Sequence, residues 1–144
     1  MKKTVVLILV ILCIIVGIIF IKFNNYKMKQ DEINKFNSFY ENYNKDGLNG
    51  LDITTVINKA RSNNDKYEIP KNEEGLYILD DEYSVEIYVT MIINDTTYRM
   101  ERITNLGMES FIAYFGEVGF KCTDIKYHEK TGRVSSMTFE ATNY

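Results

Sequence analysis

Tryptophan is absent from the 144 residues, and proline, histidine and cysteine are scarce at one, one and two. A lone histidine leaves no H-x-x-x-H pair, the cysteines form no C-x-x-C, and the glycines gather in no phosphate-binding loop. Zinc, iron–sulfur and nucleotide sites therefore have no sequence support, and no cofactor is expected. His128 also lacks a neighbouring nucleophile motif, which places it at the surface or a strand end rather than in a catalytic triad. Cys13 falls in an apolar run and Cys122 well beyond it, on the other side of an expected lipid boundary, so an intrachain disulfide is excluded. Cys122, between Phe120 and Ile125, reads as a small buried hydrophobe.

Acidic residues are missing from the first 30 positions; all 20 follow Gln30. Beyond Phe23 they face 14 basic residues, a formal charge of −6 that a phosphate backbone repels. No basic stripe with interleaved aromatics offsets this, so nucleic acid is not an expected partner.

What the N-terminus has instead is a hydrophobic run over 4–23, TVVLILVILCIIVGIIFIKF, charged only at Lys22. Twenty residues at about 1.5 Å each span roughly 30 Å, the hydrocarbon thickness of a bilayer, so 1–23 is read as a single transmembrane signal anchor and lipid as a partner. The run is longer than a secretory h-region, and Phe20, Ile21, Lys22 and Phe23 supply no small-residue cleavage site. Val10, Ile11 and Leu12 likewise fail to build a lipobox before Cys13. Flanking lysines lie on both sides, but the Lys2-Lys3 start is the n-region of an uncleaved anchor, which leaves the N-terminus inside and the C-terminal domain extracytoplasmic.

The remainder, 24–144, fits one soluble domain. Ile33, Phe36, Phe39, Tyr40 and Tyr43 recur at spacings of three and four, giving an amphipathic stalk helix over 24–45. A short helix over 51–64 follows, with Asp52 as its N-cap and Asn63-Asn64 as its end. The region 76–144 reads as a sheet with one helix. A brief strand is expected over 77–79, and Val85, Ile87, Val89, Met91 and Ile93 alternate with Glu86, Tyr88, Thr90 and Ile92. Asn94-Asp95 supplies a turn, and 96–103 returns as the partner strand. Met108, Phe111, Ile112 and Phe115 form a helix over 108–115 ending at Gly116, and a second hairpin turns at Glu129-Lys130-Thr131-Gly132. Two hairpins with short turns predict an α+β fold, in which helices cover a roughly four-stranded antiparallel sheet.

Two acidic or amide-rich clusters were weighed as metal sites. Asp80-Asp81-Glu82 has the charge for calcium or acid–base work, but exposed acidic runs are commonly solvated turns. Asn42, Asn44 and Asp46, followed by Gly47, match the opening of an EF-hand-type loop, faintly similar to a dockerin repeat, yet the position of the bidentate carboxylate holds Ile53. The plain reading of each is a polar loop, with no metal expected. Asn94-Asp95-Thr96 matches a glycosylation triplet of the sort that occurs by chance.

The stretch FNSFYENYNKDGLNGLDITTVINKARSNN resembles a loose set of uncharacterised small membrane-anchored proteins of low-GC Gram-positive bacteria, in which an apolar helix runs into an aromatic segment, a glycine loop and a short helix ending in paired asparagines. That resemblance covers the anchor and about thirty further residues and implies no activity. The layout is also similar to pilins, which set one N-terminal helix ahead of a four-stranded sheet, although no prepilin glycine site precedes the run and no Glu lies near its start. The expectation is a non-enzymatic, membrane-anchored domain that acts through contacts with other envelope proteins, as an accessory part of an envelope or pilus-like assembly. The rival from another class is a membrane-tethered calcium- or small-ligand-binding domain or an envelope enzyme.

Overall fold

A computed structural model of the chain describes residues 2–92 and 95–142, the side chain of Lys2 excepted. The chain divides into two compact units, 1–35 and 36–144. The first is wholly helical within its described residues and belongs to α1 (Lys2–Glu41). Its apolar stretch reaches a mean hydropathy of 3.5 over an 18-residue window, none of it buried, and is long and apolar enough to cross a membrane. Anchor and stalk are thus one uninterrupted helix rather than two segments.

The second unit begins with the last turns of α1 and continues through α2 (Gly50–Lys66), β1 (Glu86–Met91), β2 (Thr96–Arg99), α3 (Met100–Leu106), α4 (Met108–Phe115), β3 (Phe120–Tyr127) and β4 (Val134–Ala141). Both expected hairpins are present: β1 pairs with β2, and β3 with β4, antiparallel. The four-stranded sheet runs β2-β1-β4-β3, and its central pair β1–β4 is parallel, so the sheet is mixed rather than purely antiparallel. Parallel neighbours need a long crossover, and β2, α3, α4 and β3 together provide it. The central strands are accordingly the most buried. Val85, Ile87, Val89 and Met91 from one and Val134, Met137, Phe139 and Ala141 from the other are buried. With Ile53, Val56, Ile57 and Ala60 of α2, Phe111 of α4 and Tyr40 of α1 they make one core. Phe36, Phe39 and Tyr43 from the expected aromatic stripe pack against it.

Local chemistry sets several boundaries apart from the sequence expectation. Asn49, not Asp52, caps α2: its side chain accepts from the N–H groups of Leu51 and Asp52, while Asp52 accepts from the Asn49 N–H, a reciprocal capping box. The return strand stops at Arg99 because Met100 opens α3; Met100 and Ile103, three apart, are both buried. Over so few residues strand alternation and the start of a helical stripe look alike. At 77–79 there is no strand but a single bridge between Lys71 and Tyr77. Of the first turn, Asn94 lies outside the described residues, as does Ile93; Asp95 takes φ 47°. Helix α4 and the second hairpin, with Gly132 at φ 68°, fall where periodicity placed them.

The loop after α1 lies along the outer edge of β3. Leu48 and Phe120 exchange backbone hydrogen bonds at 3.0 and 2.8 Å, and the Cys122 N–H donates to Lys45 O at 3.0 Å. This places Gly50 against the end of α4, where its N–H donates to Gly116 O at 3.2 Å. A Cβ at Gly50 would sit 2.1 Å from the Phe115 carbonyl oxygen, a backbone atom that cannot step aside. Gly50→Ala is expected to destabilise the domain by at least about 1–3 kcal/mol through forced separation of α2 from α4, measured as a lowered urea midpoint.

Candidate functional site

The metal candidates singled out from sequence lie in two loops. Asp80 Oδ1 accepts from the backbone N–H groups of Glu82 at 3.0 Å, Tyr83 at 2.7 Å and Ser84 at 2.7 Å. Partial burial would raise its pKa, but these three donors outweigh it and hold the carboxyl below the usual carboxylate range. Asp81 pairs with Lys130, which also lies 3.7 Å from Glu82, so the acidic run is pinned to the turn of the second hairpin. Asn42, Asn44 and Asp46 are exposed on the loop before α2. Among the described residues no group of three or more His, Cys, Asp or Glu side chains converges as a metal site would.

His128 does sit at a strand end, but it is buried rather than at the surface, with Nε2 2.7 Å from Ser84 O. A carbonyl can only accept, so the ring donates there. Cys122 is half-buried, and that burial pushes its thiol pKa up, away from nucleophilic use.

Sequence reasoning missed a buried polar network. Asn63 and Asn64 do not end α2; they face inward, and the helix runs on to Lys66. Asn64 donates to Val85 O and accepts from Val85 N–H, both at 2.8 Å, and Asn63 donates to Tyr83 O at 2.7 Å. Arg133, 4% exposed, donates to Asn63 Oδ1 at 2.9 Å, and its guanidinium lies 3.7 Å from the Phe36 ring centroid, with Tyr67 and Tyr83 at 5.1 and 5.6 Å. Aromatic faces thus surround the buried cation. Asn37 of α1 donates to Gly132 O at 2.8 Å and accepts from Val134 N–H at 2.9 Å. The one available signal was asparagine in positions flanked by helical apolar spacing, where a solvated loop is the commoner cause.

A second cluster lies where β1, β2 and α3 meet. Arg99 bonds both Glu86 and Glu101, and Glu86 is fully buried in a strand whose alternation would have turned it to solvent. Next to it is an open groove of about 620 Å³ lined by Glu74, Leu76, Tyr98, Arg102, Asn105 and Leu106. Its walls combine apolar surface with an exposed Arg102–Glu74 pair at 4.0 Å, and Leu106 is 73% exposed. This is the chemistry of non-covalent contact: area for an apolar side chain and charges of both signs to orient it.

No family model matches the chain, no curated protein matches it, and no solved structure matches it.

Asn64→Ala would leave both backbone groups of Val85 buried without partners. At about 1–3 kcal/mol each, a loss of roughly 2–6 kcal/mol is expected, measured by chemical denaturation.

Proposed function

We propose that the chain is a membrane-tethered, non-enzymatic domain that works by protein contact, as an accessory part of a cell-envelope assembly with a pilus-like layout. The observation that carries the tether is the exposure of the N-terminal helix. From Val5 to Phe23 its large apolar side chains are 47–63% exposed, while the second unit buries most of its own in one core. Each such side chain left in water forgoes about 1.5–3 kcal/mol, and a bilayer supplies that burial without a protein partner. The Lys2-Lys3 start favours export of the domain. The groove between β2 and α3 offers the surface for contact, with Leu106 projecting from it.

Fractionation of cells that produce the full chain tests the reading. The protein is expected in carbonate-washed membranes, released only by detergent, and its domain is expected to be cut by protease added outside intact cells. Recovery of a polypeptide from the aqueous fraction that begins after Phe23 would replace the tether with secretion. A photocrosslinker at Leu106 is expected to give a discrete adduct with an envelope protein; its absence would remove the groove from the proposal.

A further inference from the structure

Three charged side chains meet beside the groove, and their signs do not balance. Glu86 is 0% exposed and Glu101 4%, with Arg99 the cation between them. Arg99 Nε donates to Glu86 Oε2 at 3.0 Å, and Nη2 donates to the same carboxylate and to Glu101 Oε1 at 3.0 Å. The Met100 N–H adds a bond of 3.3 Å to Glu86 Oε1, while Glu101 Oε2 is buried with no partner. With both carboxylates ionised, the cluster holds one uncompensated negative charge out of water. A carboxylate buried beside such an uncompensated charge favours the form that keeps its proton.

The same groups grip a single residue of a neighbouring stretch. The Tyr77 N–H donates to Glu101 Oε1 at 2.7 Å, and Tyr77 O accepts from Arg99 Nη2 at 3.0 Å. Tyr77, 3% exposed and bonded through its hydroxyl to Asp65 of α2, belongs to an irregular segment over 74–79 whose backbone is tied to the stretch just before it by the Lys71–Tyr77 bridge and the Ile78 N–H to Pro70 O bond. Glu74 and Leu76 of that segment form one wall of the groove.

We propose that Glu86, Arg99 and Glu101 form a proton-dependent latch on the groove: with Glu86 protonated they clamp Tyr77, and when Glu86 ionises they release the 74–79 wall. The latch holds whatever partner the groove takes, and its failure would leave the tether untouched. Other charged and titratable groups face it from every side. Tyr88 lies on β1 near Glu86, with Lys126 of β3 acting on its phenol, and the Tyr77 hydroxyl donates to Asp65 of α2, near Arg61, at 2.7 Å, under Lys71 at 4.4 Å. Arg99 makes its carboxylate bonds to Glu86 and Glu101, so those two decide the charge at the clamp.

Burial pushes the Glu86 carboxyl up to about 7, opposed by the Arg99 hydrogen bond and reinforced by the Glu101 charge. An acid whose pKa is raised by folding stabilises the closed form fully below its ordinary value of 4.5, and that contribution is lost as pH rises through about 7. Opening returns the Glu86 carboxyl to water, where it ionises more readily, so base favours release.

Amide hydrogen exchange of the full chain in lipid nanodiscs reads the latch directly. After correction for intrinsic rates, the opening constant at Tyr77 is expected to rise by up to about tenfold per pH unit between pH 5 and 7 and then level off. Glu86→Gln, which cannot ionise, is expected to flatten the profile. A flat profile in the wild type, or an unchanged rise in the variant, would overturn the proposal. Should the variant not fold, carbon-13 titration of wild-type carboxyls decides it: one glutamate with a midpoint near 7 supports the latch, and all glutamates titrating below pH 5 sinks it.

Discussion

Asn64 holds helix and sheet in register by satisfying, with one amide, both backbone groups of Val85 at the entry to β1. A buried amide that leaves no donor or acceptor unpaired at its contact is costly to displace, because any slip of the helix along the sheet strands two backbone groups at once. The neighbouring bonds extend the same constraint. Asn63 takes the Tyr83 carbonyl, Arg133 takes Asn63, and Asn37 ties the last turns of α1 to the start of β4. The apolar core supplies most of the driving force for folding, yet apolar contact is non-directional. These amides and the guanidinium in its aromatic surround are what give the layers a single relative position.

Short-range pattern carried much of this architecture. Helix α4 and the second hairpin were legible because each is decided within about fifteen residues: a one-face repeat from Met108 to Phe115, and a glycine at φ 68° between two alternating runs. The parallel union of β1 and β4 was not legible, since it joins strands separated by two helices and depends on where the crossover lands. Met100 was read as a strand residue because a buried position after an alternating run fits either period. The burial of Glu86 was not legible either, since it follows from Arg99 on the next strand and Glu101 on α3. The asparagine pair and Arg133 turn inward toward partners distant in sequence, and His128 keeps its expected strand end but is buried against Ser84 O. The Asp80 run and the loop around Asp46 lie in connections between the regular elements.

The two polar clusters differ in what they ask of their surroundings. Asn63, Asn64 and Asn37 hold backbone groups through neutral amides, whose strength does not depend on acidity. Around Arg99 the bonds are ionic, unbalanced by one charge and beside an open groove. Rigidity is thus concentrated where α2 meets the sheet, and the part of the surface with the means to respond to its medium lies at the β2–α3 side. Proteins commonly divide their stability this way, since a surface that exchanges partners or protons cannot also be the most tightly held.

The strip of chain from Lys45 to Leu48, bonded along β3, has a particular consequence under the proposed tether. Copies confined to a plane meet far more often than the same number free in solution, much as linked modules do. An uncovered sheet margin under such crowding is a template for strand addition by the next copy. A few residues of loop laid across the β3 margin convert that side of the sheet from a growing end into a finished one.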